Sequence, residues 1–495
     1  MPAGFGYVLT LALLPQLILV GVALICGVIA VVRPDERPDL YRWLACIGFL
    51  GAIAACGFVL FGMRLNRNGI ALLLWNGGLS VDHFSLFVTI TACVFGLITC
   101  LVSDTYIRRI ASRSGAFFAL MLVATTATSA LASQHEMITF FVALQVLLVS
   151  LVAIGALVKT DRRGTETSWR LLVEGGVASA LVLYGLAILY GVTGSSDLAA
   201  LGSALQRAPG LSAIGVALVL LGMTFFTGVF PMRQWLTRAS EGMPAAAAGF
   251  VITMGVTGGA VAFLRLGATG FGPGSRPWTW LTSALILIAL VHAAALALRE
   301  NGLRRLVTAV VSSQAALLLL AALDSGGGAS GAAAQGPTAF LFALVVFGLA
   351  TLATFAVLAM LQTAGLGDSL KDARGLALRS PATAVLLAFA LATLVGIPPL
   401  AGFVARLFIV ETAVDAGYGW LAVVALIAMA VTALPVVRLI ASMYAEVGDE
   451  IPFTLTATPR LGRMVATFCC LAAVFLTVLA QPLLLLARGG AGPIP

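Results

Sequence analysis

Long apolar runs separated by short polar gaps recur from Phe5 almost to the end of the chain. They fall at 5–32, 41–62, 80–102, 115–134, 137–158, 169–191, 211–232, 243–265, 278–298, 303–322, 337–364, 382–411, 418–445 and 462–486. A membrane-crossing helix needs about 20 mostly apolar residues, and these runs have that length. Period alone does not separate a buried strand from a helix, but length does. The short segments of alternating polarity that mark a transmembrane barrel do not occur. The pattern therefore predicts an all-α polytopic membrane protein with about 14 transmembrane helices. The gaps are short, and the longest polar piece, DSGGGASGAAAQG at Asp324–Gly336, reads as a flexible connection. Residues 1–495 read as a single membrane domain without a soluble module.

Composition agrees. Of 495 residues 61% are hydrophobic and 10% charged, whereas a soluble globular chain carries about 25% charged residues. The net charge of +8 does not point to nucleic acid, because the basic residues form neither patch nor tail. They are arginines except for Lys159 and Lys371, and they sit in the gaps. Alternate gaps hold 21 of the 28 basic residues, the remaining gaps and the tail hold 6, and Arg406 lies inside a span. The positive-inside rule then places both termini on the outer face of a bacterial inner membrane, among lipids. The first run lacks a positive leader and is long enough to stay as a span.

The seven cysteines lie in or beside apolar runs, with no CxxC and no histidine at ligand spacing. They read as small packing residues. No glycine-rich nucleotide loop follows a strand. No catalytic residue, metal site or cofactor is expected in this chain.

Two apolar segments are interrupted by proline: GVFPMRQW with Pro231, and GIPPLAGFVARLF with Pro398 and Pro399. Proline removes a backbone donor and pushes the residue before it out of the helical region. In hydrocarbon the freed carbonyls need partners, so such breaks survive inside protein or beside a wet cavity. Corresponding breaks in two halves of a chain are a pointer to an ion path in transporters built from inverted repeats. Pro15 and Pro435 read as simple packing kinks.

The stretches VDHFSLF (81–87), ASQHEMITFFVALQVL (132–147), TETSWRLLVEGGVASALVLYGLAILYGVTGS (165–195), SEGMPAAAAGF (240–250), NGLRRL (301–306) and ARGLALRSPATAVLLAFALATLVGIPPLAGFVARLFIV (373–410) resemble a known family. It is that of the antiporter-like membrane subunits of proton-translocating NADH:quinone oxidoreductase, respiratory complex I, and the resemblance is best to subunit N. A basic residue three positions after GIPPLAGF argues against subunit M, which carries an acid there. An end soon after a fourteenth span argues against subunit L, which adds a long lateral helix. The resemblance implies two inverted five-helix repeats with broken helices, near 115–265 and 278–445, between N-terminal helices (1–114) and a final helix (462–486). It also implies other membrane-arm subunits as partners, with flavin and iron–sulfur clusters in partner subunits. The function implied is coupling of distant quinone reduction to proton transfer.

The family moves protons along a mid-membrane chain of titratable residues, and here the chain departs. A family Glu on the fifth helix aligns with Gln145, a Lys on the seventh with Phe226, and a Lys on the eighth with Val256. A His on the tenth aligns with Gln314, and the Lys of the broken twelfth with Arg406. Arginine keeps its proton, with a pKa above about 12, and Gln, Phe and Val do not titrate. Arg170, Glu174, Glu136, Glu241, His292, Glu411 and Asp415 remain in or near the spans. Arg170 and Glu174, four apart, share a helix face and read as a pair. A sharper reading moves the lost acid function to Glu174. His292 reads as a packed histidine, Glu241 as a residue that orders its turn, and Arg233 as an interface anchor.

The candidate proton path is thus Glu174, Arg170, Arg406, Gln145, Gln314 and His292, beside breaks at Pro231, Pro398 and Pro399. Three functions fit the sequence. The first is an N-type subunit whose own channel is weakened or silent. The second is a non-conducting structural paralogue in a related membrane oxidoreductase. The third is a D-type subunit of a multi-subunit cation/proton antiporter.

Overall fold

A computed structural model describes residues 12–33, 38–65, 72–74, 78–110, 113–157, 162–271, 276–324, 335–446 and 460–478. Most of the connection read at Asp324–Gly336 lies outside these residues, as do both chain ends. The helices are α1 (Leu14–Val32), α2 (Pro38–Leu65), α3 (His83–Val102), α4 (Asp104–Ile110), α5 (Ser114–Ser133), α6 (Met137–Gly155) and α7 (Arg162–Thr193). There follow α8 (Leu201–Arg207), α9 (Pro209–Thr227), α10 (Gln234–Gly242), α11 (Ala245–Arg265), α12 (Arg276–Arg299) and α13 (Leu303–Leu323). The last are α14 (Gly336–Thr363), α15 (Leu376–Arg379), α16 (Pro381–Val395), α17 (Ala401–Asp415), α18 (Gly419–Met443) and α19 (Arg460–Val478). A two-stranded hairpin, Leu72–Leu74 against Leu79–Val81, pairs Leu73 with Ser80, where the gap before the run at 80–102 meets its start and the apolar pattern gave no strand.

Among the described residues twelve helices are long and apolar enough to cross a membrane, so length and composition alone do not return fourteen. Two further apolar helices, Pro381–Val395 and Leu461–Thr477, are shorter. The first of these is short because the Pro398–Pro399 break divides the run read at 382–411 into α16 and α17.

Every residue of α11 is buried, and nearly all of α13 and α14. These three form the centre of the bundle. By contrast α1, α7, α12 and α18 present rows of exposed Leu, Val, Ile and aromatic side chains, as expected of helices that face lipid tails. Small residues let helices approach closely in such an interior. A β-carbon on Gly185 of α7 would lie 2.6 Å from the carbonyl oxygen of Gly215 on α9, and one on Gly222 would lie 2.5 Å from that of Ala178.

The two breaks are built alike. Helix α9 ends in Gly228 (φ 71°) and α16 in Gly396 (φ 76°), both left-handed. The next amide reaches back five residues in each case, Val229 to Thr224 at 3.0 Å and Ile397 to Ala392 at 2.9 Å. This is the geometry of a helix end that satisfies its own orphan carbonyls. Three residues beyond each glycine stands a cis proline, at Phe230–Pro231 and Pro398–Pro399. The chain then restarts as α10 and α17.

Candidate functional site

The first break is packed with aromatic rings. Trp235, in the first turn of α10, donates from Nε1 to the carbonyl oxygen of Phe225 at 2.7 Å, and Ser312 of α13 donates to that of Gly228 at 2.9 Å. Carbonyls freed by the break thus find partners. The Phe225 and Phe226 rings meet edge to face at 5.3 Å, and Phe225 lies 5.7 Å from Trp235. Val256 of α11 is fully buried beside Gly228. One turn on, Gly259 touches the backbone of Phe226 so closely that no β-carbon fits. Phe226 and Val256 therefore sit in a closely packed interior.

Gln145 and Ser179 join α6 to α7 through a neutral pair. The amide donates to the hydroxyl at 2.8 Å, and the hydroxyl lies 3.1 Å from the Gln145 carbonyl oxygen. His292, half-buried on α12, lies against the Phe230 ring at 4.5 Å, and its Nδ1 has no partner. The sequence offers His292 as a packed histidine and as a path candidate, and this ring contact is what the structure gives it. It is not joined to Gln145 or to Glu174.

The second break brings Gln314 and Arg406 together. Arg406 is buried on α17 and donates from Nη2 to the carbonyl oxygen of Leu394 at 2.9 Å. A β-carbon on Gly396 would lie 2.7 Å from its Cδ and Nε, so the glycine makes room for the guanidinium. Arg406 and Gln314 both line a cavity of about 10 Å³, room for one water-sized occupant. Arg406 Nε and Gln314 Nε2 have no partner there. Burying a charge without a counter-charge costs several kcal/mol even after relaxation. Among the described residues no acid pairs with Arg406.

At the arginine-rich end the pairing differs from the sequence reading. Arg170 does not pair with Glu174. It bonds Glu166 at 2.5 Å, one turn earlier, while Glu174 pairs with Arg238 of α10. The i, i+4 spacing offers Arg170 an acid on either side, and Arg238, brought in by the break, takes Glu174. Glu241, read as ordering its turn, bonds Arg305 of α13 at 2.5 Å. Arg233 is buried rather than interfacial, reaching Thr237 at 3.3 Å. Arg170, Arg238, Glu241, Arg305 and Asp368 line a cleft of about 380 Å³ at this end.

One buried ion pair escaped the sequence reading. Arg265, at the end of α11 and fully buried, bonds the Asp82 carboxylate at 2.5 Å and the carbonyl oxygen of Gln134 at 3.2 Å. Asp82 also caps α3 by accepting from the Ser85 amide at 2.8 Å. The signal lay in VDHFSLF, where an acid stands three residues before a serine at a helix start.

A family model for the transmembrane part of NADH:quinone oxidoreductase/Mrp antiporter subunits matches residues 134–432, more than half of the chain. The chain belongs to this family. A curated relative, NADH-quinone oxidoreductase subunit N 1 of Opitutus terrae, is 31% identical over 447 residues, 85% of this chain and 84% of the relative. A chain of respiratory complex I from Thermus thermophilus superposes with a TM-score of 0.76 at 25% identity, covering 95% of this chain and 98% of that one. A chain of the Mrp complex from Dietzia sp. superposes with a TM-score of 0.82 at 21% identity, covering 98% of each, and so shares the fold.

In this member of the antiporter family, the aligned mid-membrane positions at both breaks are neutral or permanently charged, and His292 against the Phe230 ring is a titratable side chain at the first break. Gln145, Phe226, Val256 and Gln314 carry no titratable group, and Arg406 keeps its proton. The acids near the spans are engaged or at the surface: Glu174 with Arg238, Glu136 accepting from Ser196 at 2.6 Å, and Glu411 and Asp415 exposed. Among the described residues no cluster of His, Cys, Asp and Glu has the spacing to hold a metal ion.

Proposed function

We propose that this chain is an N-type membrane-arm subunit of a proton-translocating NADH:quinone oxidoreductase, with its own axis closed to protons. It would sit in a bacterial inner membrane with the arginine-rich end inside, against other membrane-arm subunits. Flavin and iron–sulfur clusters would belong to partner subunits. Quinone reduction elsewhere in the assembly would drive proton transfer through other members of the arm.

The observation that carries the closed axis is the packing at the first break, where Phe226 and Val256 fill the two positions that a titratable lysine would need. A proton path must cross about 30 Å of hydrocarbon, and one water-sized cavity at Arg406 spans little of it. The N-type assignment is supported by the 31% identity to a subunit N over most of both chains. The likeness to an Mrp chain keeps an antiporter subunit as the second reading.

Purification of the tagged full chain in mild detergent, with mass spectrometry of what accompanies it, tests the assignment. Recovery with flavin and iron–sulfur subunits is the expected result. Recovery with small membrane subunits alone would transfer the chain to an antiporter.

A further inference from the structure

The cavity at the second break has an unusual balance of hydrogen-bonding groups. Arg406 Nε and the Gln314 amide are donors without partners. The Thr393 hydroxyl, also on the wall, gives its hydrogen to the carbonyl oxygen of Phe389 at 2.8 Å. Much of the rest of the lining is apolar. The orphaned donors share one small space, where the Thr393 oxygen, its hydrogen spent, is a neutral acceptor; no residue of the lining carries a negative charge.

Charge narrows the choice. The first turn of α17 abuts the last turn of α16, with Gly402 against the carbonyl of Thr393 and no room for a β-carbon. The end of α16 carries partial negative charge and the start of α17 partial positive charge. Side by side they largely cancel, which leaves the full charge of the Arg406 guanidinium. Arginine does not neutralise itself by losing a proton. The acids on its own helix, Glu411 and Asp415, are exposed. A water molecule satisfies the donors and leaves the charge; a small anion satisfies both.

We propose that this cavity binds one small monovalent anion of the halide class, between the Arg406 guanidinium and the Gln314 amide. The inference concerns this chain's own interior and stands whichever assembly the chain joins. The anion is a fixed counter-charge for the broken helix. Larger anions such as gluconate are excluded by the size of the cavity.

Crystals of the full chain, alone or in its complex, grown with bromide in place of chloride, test the site by anomalous scattering at the bromine edge. The expected result is a bromine peak in contact with Arg406 Nε and Gln314 Nε2. Ordinary water density there without a bromine signal overturns the proposal. In solution, the melting temperature of the wild-type chain should rise with chloride along a saturating curve at constant ionic strength, with gluconate as the replacement. Arg406→Gln should flatten that curve. Equal wild-type melting in chloride and gluconate also overturns the proposal, and this comparison needs no variant.

Discussion

Arg406 donates from Nη2 to the carbonyl oxygen of Leu394, 2.9 Å away and twelve residues earlier, on the other side of the broken helix. A fixed cation thereby ties the two halves of the break together. A lysine there can be tuned by burial to release a proton; arginine holds the same backbone acceptor and stays charged. The bond makes Arg406 part of the architecture of the break.

Gly396 should be intolerant of any side chain. Its φ of 76° is left-handed, and a β-carbon would lie 2.7 Å from Arg406. The backbone conformation alone costs a non-glycine residue about 1–2 kcal/mol, and displacement of Arg406 adds to it. Gly194 has a similar φ of 69° with nothing within 4 Å, so Gly194→Ala isolates the backbone cost. Thermal melting of the detergent-solubilised chain should fall further for Gly396→Ala than for Gly194→Ala. Equal losses would show that the guanidinium moves aside freely.

The Glu174–Arg238 pair bears on the idea that Glu174 replaces a missing proton carrier. Both side chains are partly exposed, at 29% each, and exposed pairs contribute about 0.2–1 kcal/mol. Glu174→Gln should lower stability by no more than that and leave the proton-to-electron ratio of the assembled enzyme unchanged. A lower ratio with NADH oxidation intact would identify Glu174 as a relay.

Asp82 and Arg265 should behave differently, because they are buried. Removing one partner of a buried pair strands the other charge, at a typical cost of about 3–5 kcal/mol. Asp82→Asn keeps the cap on α3 but leaves Arg265 without its counter-charge, so folded yield and melting temperature should drop sharply. The double change with Arg265→Gln should recover part of the loss. If Asp82→Asn melts like the wild type, the pair does not hold α11 to α3.

Much of this was legible in the chain itself. Run lengths located the helices, and the prolines at 231, 398 and 399 located both breaks. The likeness of the breaks can be read in hindsight from GVFP and GIPP, a left-handed glycine three residues before a cis proline in each. Partners across the fold were not legible. Spacing on one helix offered Arg170 both Glu166 and Glu174, and the choice was made by Arg238, 64 residues after Glu174. Asp82 and Arg265 are 183 residues apart, and no local pattern joins them. The cavity at Arg406 depends on how α13, α14, α16 and α17 pack, which the alignment of single positions does not contain.

Asp324, just beyond the end of α13, gives a pH dependence of definite sign. Burial pushes its carboxyl up from 3.8 to about 6, against the opposing bond from the Gly336 amide at 3.1 Å. An acid whose pKa rises on folding destabilises the folded state where it is ionised. Its cost is absent below about 3.8, grows as pH climbs, and is complete above about 6. Asp324→Asn, which can still accept from Gly336, should therefore melt higher than the wild type at pH 7.5. The difference should vanish toward pH 4, and a gain independent of pH would refute the ionisation account.

The proton-to-electron ratio of the reconstituted enzyme, with Gln145→Leu and Gln314→Leu in this chain, tests the closed axis most directly. These changes remove polar groups that line the interior at either half. The ratio should match that of the wild type while NADH oxidation continues. A reduced ratio in a fully assembled enzyme would mean that protons pass through this subunit, and the closed axis would be wrong.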